Sequence, residues 1–541
     1  MHSLAILGSS LTLAAAWSPW RHHNGGAWNG HNDLNVATTS GHAQGTIDPK
    51  LPNVRQFLGI PYAQPPVGDL RWTAPQALSQ PDAQVEATKL PPSCNQFLSN
   101  TGSSLYVRDV LQFNLEGLNT TGSTSEDCLT ASVWTPSHES AKHGWSKKGH
   151  KGEGLPVLIY FYGGGFSTGG EDVPYQIPAQ WVNRSPNHVV VSFNYRLNIF
   201  GFPGALGLKD QNLGLLDQRA AVKWVKDNIA EFGGDPDRMV IWGQSAGAAS
   251  VDFYNYAYPE DPIVGGLIMD SGTAMIPSRG DTTGASFNYV ASQVGCSGLA
   301  NDTDAQLACM RKVPAKTIED FVAKQSNTGA SPSLSFGPTA DGKSVFANYT
   351  ERALAGKQAK IVSSPNHNTN LIYHADAFQP AIIGTNLDDG VAFAPYNPNG
   401  PNQTAAHQAL LNTFFCPATE TIRLRQQTGR QTYSYRYAGN FTNIAPRSWM
   451  GAYHSSELPL IMGTHPNYRG PSTPLEYATS HAMQDAWVAF ASDPCNALEG
   501  QHWPVYGQLG AKEVREFGAG VAAQDITLAG VEAQCNGADA A

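Results

Sequence analysis

One serine in this chain stands where a nucleophile is expected. Ser245 lies between glycines in the run Gly243 to Gly247, after an apolar stretch that ends at Trp242 and before a run of small residues. This pattern predicts a strand, a sharp turn and a helix, because only small flanking residues permit so tight a turn. Such a turn presents a serine hydroxyl at the edge of a sheet, where a substrate can reach it. A five-residue match also occurs by chance, so the neighbouring sequence has to support it.

The segment before the serine has the pattern of a helix. Between Leu215 and Phe232 the apolar residues recur at the spacing of one buried helical face, and Gly233 and Gly234 then end the pattern. A helix, a glycine stop, a strand, a serine turn and a second helix follow in the order that an α/β-hydrolase fold requires. We therefore predict that Ser245 is catalytic. A serine that merely caps a helix is the alternative.

A serine hydroxyl needs partners, because it is a weak nucleophile at neutral pH. It requires a histidine as base and a carboxylate that orients this histidine. In an α/β-hydrolase the acid and then the histidine follow the serine along the chain. The histidines that satisfy this order are His367, His374, His407, His454, His465, His481 and His502. The apolar stretch from Ala381 runs into an acidic turn at Asp388 and Asp389, which makes that turn a candidate source of the acid.

Further motifs occur in the sequence order of one enzyme family. They are Phe57 to Ala63, Pro65 to Gly68, Glu126 to Leu129, Gly163 to Phe166 and Asn194 to Arg196. Together with the serine turn, these motifs resemble the type-B carboxylesterases and lipases, and in character their secreted fungal branch. The resemblance implies an α/β-hydrolase fold, with a large, mostly parallel twisted sheet covered by helices on both faces. It also implies hydrolysis of carboxylic esters through an acyl-enzyme, without a metal or an organic cofactor.

The resemblance assigns the base and the acid to individual residues. It implies His454 as the catalytic histidine and Asp389, immediately before Gly390, as the acid. Most relatives carry the longer Glu at this position, so the backbone here must approach the histidine more closely. Asp388 and Glu457 remain alternatives for the acid.

Backbone N–H groups are expected to stabilise the oxyanion that forms when the serine adds to an ester. Gly164 and Gly165 suit this role, because they carry no side chain that would block the substrate. The resemblance adds the N–H of Ala246. It also implies that Ser271 lies close to the triad, although an ordinary loop serine is the alternative.

Three departures from the family pattern concern the surroundings of the site. Gln244 replaces the Glu that precedes the nucleophile in cholinesterases, and the loop between Cys94 and Cys128 has no Trp to stack on a quaternary ammonium. Tyr162 stands where many relatives have His, so the support of the oxyanion loop is expected to differ. We therefore expect neutral carboxylic esters, small or lipid, as substrates. A lipase or sterol esterase with that loop as a lid, and a non-catalytic recognition protein on the same fold, are the alternatives.

The ends of the chain and its charge limit location and partners. Residues 1–16 are predicted to be a signal peptide, 17–34 a loose arm and 35–541 a single domain, so the protein is expected to be secreted. No later apolar run is long enough for a membrane span, and no lipid-anchor signal is visible. A formal charge of −10 with 34 Lys plus Arg argues against a nucleic-acid partner. The oligomeric state is left open.

The cysteines and the sequons fit an exported protein. Seven cysteines imply disulfides with at least one thiol left over. By resemblance the pairs are Cys94 with Cys128, Cys296 with Cys309 and Cys416 with Cys535, which leaves Cys495; a pair of Cys416 with Cys495 is the alternative. Six sequons predict glycosylated surface loops, at Asn119, Asn183, Asn301, Asn348, Asn402 and Asn440.

Overall fold

The computed structural model describes residues 34–97, 124–137, 154–276, 280–360, 379–445, 447–467, 469–507 and 513–535. These residues belong to one compact unit that begins at Leu34. Several predictions lie outside the described residues: the signal peptide, the arm up to residue 33, the sequon at Asn119, and most of the loop between Cys94 and Cys128. The histidines His367 and His374 lie outside them as well.

A ten-stranded sheet forms the centre of the described residues. The strands of the unit are β1 (Asn35–Thr38), β2 (Gly41–Gln44), β3 (Val54–Pro61), β4 (Gln84–Glu86), β5 (Ser93–Cys94), β6 (Thr124–Ser125), β7 (Thr130–Pro136), β8 (Leu155–Phe161), β9 (Val189–Phe193), β10 (Gly234–Gln244), β11 (Gly266–Asp270), β12 (Ala381–Asn386), β13 (Thr432–Tyr437), β14 (Glu513–Phe517) and β15 (Ala523–Thr527). The order in the large sheet is β15-β14-β13-β12-β11-β10-β8-β9-β7-β3. Its strands from β14 to β9 are parallel, and antiparallel strands extend it at both edges.

The strands of the parallel part are covered on both faces. Every residue of β8, β9, β11 and β12 is buried, although successive side chains of a strand point to opposite faces. The α-helices of the described residues are Ala179–Arg184, Asn198–Gly201, Leu213–Asn228, Ala246–Ala257, Ala285–Gln293, Thr303–Met310, Ala315–Thr328, Tyr349–Leu354, Gln403–Leu410, Cys416–Gln427, Leu458–Met462, Pro474–Ser492 and Ala529–Glu532. The predicted architecture, a mostly parallel sheet between helices, is confirmed. No helix in the described ranges is long and apolar enough to cross a membrane.

The predicted elements around the serine are present, with shifted ends. The helix expected from Leu215 to Phe232 is an α-helix over Leu213–Asn228 followed by a 3-10 turn over Ile229–Phe232. It ends at Gly233, whose φ of 91° lies in the left-handed region. The strand expected before the serine is longer than the apolar run and begins at Gly234.

Three disulfides close loops of very different length. Cys94–Cys128, Cys296–Cys309 and Cys416–Cys535 span 34, 13 and 119 residues. This is the pairing that the resemblance implies, and Cys495 is the free thiol. Burial raises the pKa of Cys495 to about 11, so this thiol is a poor nucleophile at neutral pH.

The described sequons differ in accessibility. Asn301, Asn348, Asn402 and Asn440 are exposed, whereas Asn183 is partly buried. The side-chain oxygen of Asn183 also accepts a hydrogen bond from the Asn53 backbone N–H. Glycosylation remains a prediction at these positions.

The disulfides give a prediction about stability. Because a longer closed loop restricts the unfolded chain more, removing Cys416–Cys535 should cost about 2 kcal/mol more than removing Cys296–Cys309. Double Cys→Ser variants of each pair, unfolded in guanidinium, measure the two losses. Equal losses, or a larger loss for the short loop, would contradict this expectation.

Candidate active site

Ser245 occupies the turn between β10 and the helix Ala246–Ala257. Its φ of 57° and ψ of −122° place a residue with a side chain in the positive-φ region, which is strained and recurs at functional sites. Its backbone N–H donates to the Asp270 carbonyl over 2.8 Å, and its carbonyl accepts from the Ala249 N–H over 2.9 Å. These bonds fix the turn, and Ser245 remains partly exposed.

The two glycines of the turn are required by close backbone contacts. A Cβ on Gly247 would lie 1.9 Å from the Phe161 carbonyl oxygen of β8. A Cβ on Gly243 would lie 2.3 Å from the backbone of Gly247. Real Cβ atoms do not approach so closely, so this spacing of glycines follows from the packing of the turn against the neighbouring strand.

His454 is held by a buried carboxylate. Its Nδ1 lies 2.7 Å from Asp389 Oδ1, and the side chains are 3% and 0% exposed. A carboxylate only accepts hydrogen bonds, so Nδ1 carries the proton and Nε2 is an acceptor. Nε2 lies 3.2 Å from Gln244 Nε2, on the residue next to Ser245. The basic nitrogen of the imidazole is therefore directed at the serine turn.

Asp389 is the candidate acid that the structure brings to His454. Its second oxygen, Oδ2, accepts from Ser271 Oγ and from the Asn386 backbone N–H, each over 2.8 Å. Asp388 instead accepts from the Ala452 N–H over 2.9 Å. The Asp389 side chain, although shorter than a Glu, reaches the histidine. Its turn follows β12 directly, and its carboxylate bonds the last residue of that strand.

The remaining candidate acid and histidines of the described residues have other neighbours. Glu457 Oε2 accepts from the Asn386 side chain. His407 contacts Gln534, and His465 contacts Glu476 and Ser472. His481 packs against Tyr477, and His502 is a left-handed residue that ends a 3-10 turn.

The expected oxyanion loop lies beside the serine turn. A Cβ on Gly163 would lie 2.9 Å from the Cβ of Ser245. Gly164 and Gly165 are exposed. Their backbone N–H groups and that of Ala246 donate to no protein acceptor within the described ranges. These three donors are therefore available to a ligand oxygen next to Ser245.

Two tyrosines support the oxyanion loop. Tyr162 stacks on Tyr195, with ring centroids 4.5 Å apart and an interplanar angle of 19°. Tyr195 Oη donates to the Tyr162 carbonyl over 2.8 Å, and the Tyr195 N–H donates to Tyr162 Oη over 3.2 Å. The expected difference in the support of this loop therefore takes the form of paired contacts between Tyr162 and Tyr195.

Aromatic rings lie against the histidine and next to the oxyanion glycines. Phe414 and Phe393 lie 4.5 Å and 5.1 Å from the His454 ring, measured between centroids. Phe166, which follows the oxyanion glycines, packs against Phe202 and a further ring of the helix after the serine. The triad therefore has apolar neighbours at the histidine ring and beside the oxyanion loop. Sequence reasoning did not identify Phe393 and Phe414, since no local motif marks them.

Two further carboxyls are buried behind the triad. Burial raises the pKa of Asp270 to about 7, and Trp242 Nε1 donates to its Oδ2. Burial, together with the negative charges of Asp270 and Asp389, raises the pKa of Glu457 well above its ordinary value. This environment disfavours the charged form of the Glu457 carboxyl. In the described part of the chain no group of three or more His, Cys, Asp or Glu side chains is arranged to hold a metal ion.

Comparisons with known proteins identify a family and a fold. Residues 32–413 and 406–527 match the model of the carboxylesterase family. The chain is 44% identical to a chlorogenic acid esterase of Aspergillus niger, over 91% of this chain and 88% of that protein. It is 39% identical to secreted lipase 5 of Gibberella zeae, over 93% of this chain and 92% of that protein. A solved PNB esterase has the same fold, with a TM-score of 0.71 at 24% identity, and the match covers 93% of this chain and 99% of the esterase.

The choice between neighbouring carboxylates is testable. Asp389→Asn should lower kcat for a p-nitrophenyl ester at least about 10³-fold. The two donors at Oδ2 would hold the amide oxygen, so the amide NH2 would face Nδ1 and favour the wrong tautomer of the imidazole. Asp388→Asn should lower kcat less than about tenfold, because the Asp388 carboxylate bonds the Ala452 N–H and an amide oxygen can replace it there. Ser245→Ala should abolish the covalent route, and its purified protein sets the background. A larger loss for Asp388→Asn would contradict the assignment of the acid.

Asp270 gives a prediction about pH and stability. Its pKa is raised from 3.8 to about 7 in the folded protein, so the folded state keeps a proton that the unfolded chain has released. The contribution of Asp270 to the free energy of unfolding therefore falls as pH rises from about 4 through about 7. Asp270→Asn removes this dependence. Relative to wild type, the variant should gain stability between about pH 5 and about pH 8 in guanidinium unfolding, and a constant difference would contradict the expectation.

Proposed function

The chain belongs to the carboxylesterase family, and on that premise we propose that it is a secreted serine esterase that acts on neutral carboxylic esters through Ser245, His454 and Asp389. The family and the relatives make it a serine carboxylic ester hydrolase. One observation carries the assignment of the residues: the buried 2.7 Å contact of His454 Nδ1 with Asp389 Oδ1, which directs Nε2 at the serine turn.

In the first half of the proposed reaction Ser245 is acylated. Ser245 Oγ attacks the ester carbonyl carbon, and His454 Nε2 takes the hydroxyl proton. The carbonyl electron pair moves onto oxygen, where the N–H groups of Gly164, Gly165 and Ala246 stabilise the negative charge, by roughly 3 kcal/mol per donor. Collapse of the tetrahedral intermediate breaks the bond to the alcohol oxygen. The alcohol leaves with the proton from Nε2.

In the second half water releases the acid. His454 Nε2 takes a proton from water, whose oxygen attacks the acyl carbon. The same three N–H groups hold the second oxyanion. The bond to Ser245 Oγ then breaks, and Nε2 returns its proton to the serine. Asp389 orients the imidazole and stabilises its charged form throughout, without taking the proton itself.

The charges at the site support neutral esters as substrates. Gln244 is uncharged and lies 3.2 Å from the histidine, so no carboxylate at this position attracts a cationic alcohol. The rings of Phe393 and Phe414 against His454 add an apolar wall. Chlorogenic acid belongs among the esters to be tested, because a relative is named for it.

A lipase is the second candidate function. Phe393 and Leu387, close to the acid in sequence, are 45% and 41% exposed, and such apolar exposure suits contact with a lipid surface. A relative of similar length is named a secreted lipase. Hydrolysis of p-nitrophenyl esters from acetate to palmitate, with and without an oil–water interface, separates the two candidates. A jump in rate at the interface favours the lipase.

Secretion is supported by the covalent structure. Three disulfides are typical of proteins that fold in an oxidising compartment. A relative with 92% of its length covered is named as secreted. N-terminal sequencing of the mature protein tests this proposal, and a start near residue 17 is the expected result.

The preference for neutral alcohol groups is testable with matched esters. We expect kcat/KM for 3,3-dimethylbutyl butyrate to equal or exceed that for choline butyrate, which has the same shape and a positive charge. Gln244→Glu restores the carboxylate that cholinesterases carry and should shift this ratio towards choline. A choline preference above about tenfold in the wild-type protein would contradict the proposal.

A further inference from the structure

We propose that Asn386 is a positioning residue for the triad, which ties the turn that carries the acid to the turn that carries the histidine. The inference rests on the proposed function, since it concerns how Asp389 and His454 are held. Asn386 is the last residue of β12 and is 1% exposed. Neither its buried position nor its bonds follow from any motif of the sequence.

Asn386 bonds both turns at once. Its backbone N–H donates to Asp389 Oδ2 over 2.8 Å. Its side-chain Nδ2 donates to the carbonyl of Tyr453, the residue before His454, over 2.9 Å. The same Nδ2 donates to Glu457 Oε2, on the far side of the histidine. The Asn386 carboxamide therefore bonds residues on both sides of His454, while the Asn386 backbone N–H bonds the acid.

The acceptor of this bond, Glu457, lies where its charged form is disfavoured. Its side chain is fully buried. Burial and the neighbouring Asp270 and Asp389 raise the pKa of its carboxyl. A second full charge beside Asp389 would compete for the charged imidazole that forms during the reaction. The raised pKa favours the uncharged form, which accepts from Asn386 without this competition.

A second clamp joins the two turns farther from the histidine. The Asp388 N–H donates to the Ala452 carbonyl over 3.1 Å, and the Ala452 N–H donates to Asp388 Oδ2 over 2.9 Å. Gly451 packs so closely against Asp388 that a Cβ on this glycine would lie 2.1 Å from Asp388 Oδ2. This clamp ends two residues before His454, and Asp388 is only partly buried. Asn386, by contrast, bonds residues on both sides of the histidine.

Loss of the carboxamide should therefore act on turnover. A displacement of about 1 Å between reacting groups can cost about 10²-fold in rate. Asn386→Leu keeps the side-chain size and the backbone N–H but removes both side-chain donors. We expect kcat per active site to fall about 10-fold to 100-fold with KM within about twofold, because no substrate contact is lost.

A matched control separates positioning from stability. Asn228 is also a buried asparagine whose Nδ2 donates to a backbone carbonyl, that of Trp224, and to a side chain, that of Thr39. It lies at the end of the helix Leu213–Asn228, and none of these bonds involves a residue of the site. Asn228→Leu should cost comparable stability and leave kcat per active site unchanged. Active sites are counted in each preparation by reaction with a fluorophosphonate.

An isosteric variant supplies a readout that a purely structural role would not give. Asn386→Asp has the same shape, but an ionised carboxylate donates no hydrogen bond to Tyr453 or Glu457. Its protonated form regains one donor. The ratio of kcat in Asn386→Asp to kcat in wild type should therefore rise as pH falls, and a ratio independent of pH would contradict the proposal.

The outcomes distinguish this inference from the function on which it rests. Wild-type kcat per active site in Asn386→Leu, with Ser245→Ala inactive, overturns the role of Asn386 and leaves the esterase mechanism standing. Equal losses of kcat in Asn386→Leu and Asn228→Leu overturn it too, because the effect is then one of general stability. Full activity of Ser245→Ala would instead overturn the proposed mechanism.

Discussion

The structure of the site depends on one buried hydrogen bond, between His454 Nδ1 and Asp389 Oδ1 over 2.7 Å. Both partners are almost completely buried. In such an environment the hydrogen bond is strong, and an unpaired carboxylate would be costly. The bond fixes the tautomer of the imidazole and thereby the nitrogen that faces the serine turn. Ser271 and Asn386 occupy the second oxygen of the carboxylate, so Asp389 is held in one orientation.

The parallel sheet makes this bond and the serine turn meet. β8, β10, β11 and β12 are neighbours and run in the same direction, so the turns that follow them lie at one edge. The oxyanion loop, the serine turn, Ser271 and the acid turn follow these four strands in that order. Only the histidine arrives from a longer loop, after β13, which is why polar bonds from the acid turn to Tyr453 and Ala452 are needed to place it.

The sequence predicted those parts of the site that local geometry encodes. The glycines around Ser245 were identified because their spacing follows from backbone packing. The neighbouring helix and strand were identified from the pattern of their apolar residues. The identities of His454 and Asp389 came from a resemblance, since residues 65 positions apart leave no local signal that they meet. Other contacts were not predicted, because they depend on side chains that the sheet order brings together. They are the bonds of Asn386, the contacts between Tyr162 and Tyr195, and the rings against His454.

The central claim, that Ser245 is the nucleophile activated by this histidine and acid, is tested most directly by trapping the covalent enzyme. A fluorophosphonate ester should modify the wild-type protein once, and peptide mass spectrometry should place the adduct on Ser245. Ester hydrolysis should then fall in proportion to the modified fraction. An adduct on another residue, or undiminished hydrolysis by protein that is fully modified at Ser245, would contradict the account.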